Sequence, residues 1–170
     1  MDYFNKISVD VLCSQEAQNI DPEKVKQAGL NIHKFSNNGK GPCCIISRYP
    51  FEAITPNRYG AHIKLEHNLD ILVMACHTAH IPYGPYQLNG IPYGSSDAKE
   101  TKQQVLISNR NAREGFTESI LEEIYSAETP FIIPCGDFNE PSWLDWTKET
   151  TEAGLSVCEM EWPTTKKIMR

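Results

Sequence analysis

The sequence predicts an α/β fold with helices packed outside β-sheet. Short apolar runs rich in β-forming residues, "VDVLCSQ", "LDILVMACH" and "FIIPCGD", each end at polar residues. Helix signals stand between them, among them a proline just after an aspartate in "DPEKVKQAG" and the stripe Phe116, Ile120, Leu121 and Ile124. The 170 residues, 40% of them hydrophobic, suffice for one domain with a real core and are too few for two.

Taken in order, Val9 to Gln15 reads as a buried strand. Asp21 then caps a short helix that has Pro22 at its first position and Gly29 as its stop. Four β-like runs follow, "CCIISRYP", "FEAIT", "YGAHIKLEH" and "LDILVMACH", with "HNLD" joining the last two at hairpin length. Ile63 and Leu65 alternate with His62, Lys64 and Glu66, which gives that strand one wet face. "ILVMAC" has no polar partner in its alternation and is expected to be covered on both faces. The prolines, glycines and tyrosines between Thr78 and Ser96 make a loop that displays aromatic side chains. Helix follows from about Asp97 to Ala127, with Gly115 as a point of division. "PFIIPCGD" reads as a buried strand, "SWLDWTKET" as a short helix capped by Ser142, and the tail as strand and turn.

The balance of 16 Lys and Arg against 22 Asp and Glu gives a formal charge of −6. That composition offers no global attraction for nucleic acid or anionic lipid, though it leaves room for a local basic groove. The longest apolar run, Ile71 to Cys76, is too short to span a bilayer. Six cysteines show no C-x-x-C spacing and read as small buried hydrophobes in a reducing compartment. A cytoplasmic location is the expectation, which an export signal ahead of Met1 would change.

Glu16, His77, and Asp137 with Asn139 stand at the C-terminal ends of three apolar runs. Strand ends of sheet proteins are where sites assemble, because the scaffold fixes each side chain while the loops leave room for a ligand. Such a set suits metal-assisted phosphoester hydrolysis. Glu16 would hold a hard cation such as Mg²⁺, and Asp137 would orient and deprotonate the attacking water. Asn139 would donate to a phosphate oxygen, while His77 would contact the phosphate or supply a proton. Taken singly, each has a plainer explanation: "GDFNEP" is a good turn, Glu16 a solvated carboxylate, His77 a satisfied strand-end residue.

In combination and in this order, "DVLCSQE", "IISRYP" and "CGDFNEP" resemble the endonuclease/exonuclease/phosphatase superfamily across nearly the whole chain. The resemblance implies a two-sheet β-sandwich flanked by helices in four layers, with mostly antiparallel or mixed strands. It implies Glu16 as metal ligand, Asp137 as the residue that positions water, Asn139 as a phosphate contact and His77 as the strand-end histidine. It further implies Mg²⁺, with Mn²⁺ as the alternative, and a phosphoester substrate. Nucleic acid fits that chemistry but is not favoured by the net charge.

The chain departs from the family pattern in three places. "ACHT" stands where the family shows Asn-x-His-Leu. The asparagine-bearing first strand, and the C-terminal aspartate and Ser-Asp-His motif, are not matched. The expectation is a single incomplete domain over residues 1–170, weakly active or inactive alone, with a non-catalytic phosphate- or metal-binding remnant or a gene-model fragment as the alternatives.

Overall fold

The structure is a computed structural model that describes residues 6, 8–36, 41–95 and 101–169. By internal contacts the chain forms two compact units, Met1–His77 with Glu122–Asp137, and Thr78–Leu121 with Phe138–Arg170. Among the described residues, no helix is long and apolar enough to cross a membrane.

The first unit holds two sheets. Strands β1 (Val11–Ser14), β2 (Asn31–Ser36) and β3 (Pro42–Ser47) form an antiparallel sheet in the order β1-β3-β2. Strands β4 (Phe51–Ile54), β5 (Gly60–Lys64), β6 (Asp70–His77) and β7 (Ile132–Asp137) form the second, in sequence order. β4, β5 and β6 are an antiparallel meander, and β7 joins β6 in parallel. The expected two-sheet α/β architecture with mixed strands is therefore present. Helix α1 (Pro22–Gln27) starts where the sequence places it, with the Asp21 carboxylate accepting the Glu23 N–H and Gly29 in the left-handed region beyond its end.

Alternation assigns the faces of the three-stranded sheet. Leu12, Ile32, Cys44 and Ile46 pack with Val25 and Leu30 in one cluster, which lies on the α1 side. Residues of opposite parity turn to the other sheet, where the Cys13 thiol faces the Met74 carbonyl. Ile71 to Cys76 are all buried, so β6 is covered on both faces as its uninterrupted apolar run requires.

Two strands differ from expectation. β1 is only half-buried, and β7 leaves Ile133 50% exposed, with Phe131 just before it 51% exposed. Both are edge strands among the described residues, with a neighbour on one side alone. Apolar content reports a strand's capacity for burial, whereas its position in the sheet decides whether both faces and edges are covered. Strand β2 is an element the sequence did not reveal.

The second unit is helical. It contains α2 (Gly84–Leu88), α3 (Lys102–Ser126) up to Leu121, α4 (Lys148–Glu152) and α5 (Pro163–Ile168). α3 runs unbroken through Gly115, so the division expected there does not occur; flanking helix formers and a stripe of buried side chains outweigh one glycine. The expected helix start at residues 97–100 lies outside the described residues. Ser142 caps a turn instead of a helix, accepting the Leu144 N–H, and the helix begins later with a reciprocal Thr147–Thr150 capping box. The tail forms α5 rather than a strand: Pro163 opens it, and the preceding Trp162 is buried against Val105 and Met160.

Candidate active site

In the first unit the parallel register of β6 and β7 pairs His77 with Asp137 at the last rung. His77 Nε2 and Asp137 Oδ2 lie 3.8 Å apart, which is ion-pair range and longer than a hydrogen bond. Their environments differ sharply: the His77 side chain is 5% exposed and that of Asp137 53%. Asp137 is thus the member open to solvent, with the imidazole buried behind it.

Gly136 sets up this rung. Its φ of 151° disfavours side chains, and a Cβ there would stand 1.9 Å from the Cys76 carbonyl oxygen. The glycine lets β7 run tight against β6 just before Asp137.

Glu16 follows β1, exposed and in the left-handed conformation with φ 51°. That bend turns the chain at the strand end and points to a constrained position, because a non-glycine residue there costs energy. Cys13 on β1 faces the Met74 carbonyl of β6 across the two sheets. Beside Glu16, the Gln15 amide nitrogen is buried and has no hydrogen-bond partner among the described residues.

Asn139 belongs to the second unit. Its φ is 47°, and its amide nitrogen donates to the Thr78 carbonyl at 3.2 Å. The Thr78 hydroxyl donates to the Phe138 carbonyl. Arg113, fully buried on α3, donates to the Asn139 and Pro82 carbonyls at 2.8 Å each and to the Asn109 side-chain oxygen at 2.9 Å. Sequence reasoning missed this arginine. The available signal was the row Asn109, Arg113 and Thr117 at intervals of four, which puts a polar stripe on a buried helix face.

A divalent metal is implied by the resemblance. Among the described residues, no group of three or more His, Cys, Asp or Glu side chains converges as a metal site. One exposed carboxylate at a strand end still fits Mg²⁺, which keeps most of its waters and needs one or two protein oxygens.

The two sheets thus bring a carboxylate and an imidazole together at adjoining strand ends. The family model described as "Endonuclease/Exonuclease/phosphatase family" matches residues 1–166, and the chain belongs to that family, whose members are phosphoesterase- and nuclease-type hydrolases. A solved structure of an AP endonuclease from Archaeoglobus fulgidus is similar in fold, with a TM-score of 0.52 at 15% identity. That likeness covers 99% of this chain, which spans 62% of the other. Comparison with curated proteins returned no match.

Proposed function

We propose that the chain carries part of a Mg²⁺-dependent phosphodiesterase site, with in-line attack of water on phosphorus. The observation that carries this reading is the His77–Asp137 rung, a solvent-facing carboxylate backed by a buried imidazole at the ends of two parallel strands. Glu16 would hold the metal, with Mn²⁺ as an alternative to Mg²⁺. Bound there, the ion would supply charge neutralisation at a phosphoryl oxygen.

Asp137 orients the water and accepts its proton as the water oxygen–phosphorus bond forms, while the opposite P–O bond breaks and the leaving oxygen departs to take a proton from solvent. His77, too buried to meet the substrate first, acts on Asp137 and steadies its orientation and charge. Gln15 has an unused buried donor beside Glu16 and is the candidate to orient that carboxylate or to meet a phosphate oxygen. Asn139, whose amide nitrogen donates to the Thr78 carbonyl, keeps its proposed role as a phosphate contact. A small phosphodiester suits the net charge of −6 better than nucleic acid, although the AP endonuclease resemblance keeps nucleic acid as the alternative substrate.

The test is hydrolysis of an aryl phosphodiester by the 170-residue chain, with magnesium and with chelator, beside Asp137→Asn and Glu16→Gln. We expect low, chelator-sensitive turnover that falls by roughly 10²–10⁴-fold in Asp137→Asn and comparably in Glu16→Gln. Turnover that survives either variant sinks the site assignment. The lack of a converged ligand cluster among the described residues favours a second reading, a module that binds phosphate ester or metal without hydrolysis. Saturable magnesium binding that Glu16→Gln removes, with no turnover, would select it.

A further inference from the structure

Cys13 and Cys135 come from opposite sheets of the first unit, yet their thiols are neighbours on one groove. Both sulfurs also face one carbonyl, that of Met74, at 3.9 and 3.2 Å. Neither residue is sealed in the core: both line a groove with Val11, Tyr49, Ile71 and Ile133, open between the sheets. Cys43, Cys44 and Cys76 are buried. Two thiols gathered at one carbonyl and reachable from solvent form a dithiol, distinct from the isolated buried hydrophobes that the sequence suggested.

We propose that Cys13 and Cys135 are a modification site, oxidised by a peroxide to a disulfide that joins the two sheets. The peroxide oxygen is the electron acceptor. Cys135 thiolate attacks it, the O–O bond breaks, and hydroxide leaves with Cys135 as the sulfenic acid; the hydroxide takes up the thiol proton as water. The Cys13 sulfur then attacks the Cys135 sulfur, the S–O bond breaks, and the sulfenic hydroxyl leaves as a second water with the Cys13 proton. Two thiols and one hydrogen peroxide thus give one disulfide and two waters.

The division of roles follows from this proximity. The neighbouring Cys13 thiol lowers the pKa of Cys135, whereas Cys13, raised by the same neighbour and by burial, stands above the ordinary thiol range. Immunoglobulin sandwiches show that one disulfide spans two facing sheets. Here it would tie β1 to β7 three residues before Glu16 and two before Asp137. The inference needs neither of those residues to be catalytic.

The experiment treats the full chain with hydrogen peroxide, blocks remaining thiols with an alkylating reagent, and maps peptides by mass spectrometry without reduction. We expect a Cys13–Cys135 cross-linked peptide two hydrogens lighter than the separate thiols, restored by dithiothreitol, with Cys44 and Cys76 still reduced. Cys135→Ser and Cys13→Ser, each folded by circular dichroism, should give no cross-link. Oxidation should raise the Tm of the parent chain by roughly 5–15 °C and leave both variants unmoved. Cys13 and Cys135 both alkylated after oxidation, Cys135 driven to sulfinic acid with Cys13 free, or a cross-link that survives in Cys135→Ser would each overturn the proposal.

Discussion

Glu140 accepts the Thr164 and Thr165 N–H groups at 2.8 and 3.0 Å, while its other carboxylate oxygen is buried without a hydrogen-bond partner among the described residues. It closes the N-terminus of α5 from a distant position in the chain, a role that side chains nearer in sequence usually fill. Burial raises its pKa, partly offset by the two N–H groups and by the nearby Arg113 guanidinium. The folded state therefore holds the proton more tightly than the unfolded chain does. Its contribution is fully present below the ordinary carboxyl range and is lost as pH rises through the raised folded value. Urea denaturation at several pH values should show the parent losing stability relative to Glu140→Gln on going from acid to neutral pH. Glu140→Ala, which strips the acceptor from two amides, should cost about 1–3 kcal/mol at neutral pH. A pH profile identical in parent and Gln variant would show that Glu140 does not titrate differently on folding.

At the scale of elements, β6 and β7 are the pair on which the site depends. Their last rung carries both His77 and Asp137, and the rung before it pairs Cys76 with Gly136. A methyl group on Gly136 would meet backbone, which yields far less readily than a flexible side-chain tip. Gly136→Ala should cost about 3 kcal/mol or more by adding backbone strain to a steric clash. It should also remove the proposed hydrolysis while Asp137 itself is intact. Thermal denaturation and the phosphodiester assay on one preparation check both, and a fully stable, fully active alanine variant would place β7 differently against β6. The element-level surprises have related causes. A capping box moved α4 downstream of Ser142, and the buried Trp162 anchors the start of α5 where apolar content alone suggested a strand.

For the whole molecule, net charge sets the expected response to salt. With 22 acidic against 16 basic side chains, a polyanion gains little from counterion release. If the proposed hydrolysis extends to a DNA oligonucleotide, it should therefore change only weakly with sodium chloride, with log(kcat/KM) falling against log[salt] at a slope shallower than about −2. A slope steeper than about −5 would reveal a basic groove that the overall charge conceals. The family was legible because its motifs are local: Gln15-Glu16, Ile46-Ser47-Arg48-Tyr49-Pro50 and Gly136-Asp137-Phe138-Asn139 are each read from neighbours in the chain. The α1 boundaries, the meander and the double-sided burial of β6 were legible for the same reason, since caps and alternation repeat within a few residues. β2 was not, because "NIHKFS" mixes polar residues into its alternation and its pairing with β3 supplies what its composition lacks. Nor was the exposure of β7, the buried Arg113 bonded to carbonyls 31 and 26 residues away, or the gathering of Cys13 and Cys135 at the Met74 carbonyl. The sequence by itself determined family, strand ends and the residue types at them. Tertiary structure alone decided which side chain of the His77–Asp137 rung meets solvent and which cysteines meet each other, because burial and cross-sheet proximity arise from contacts between residues far apart in the chain.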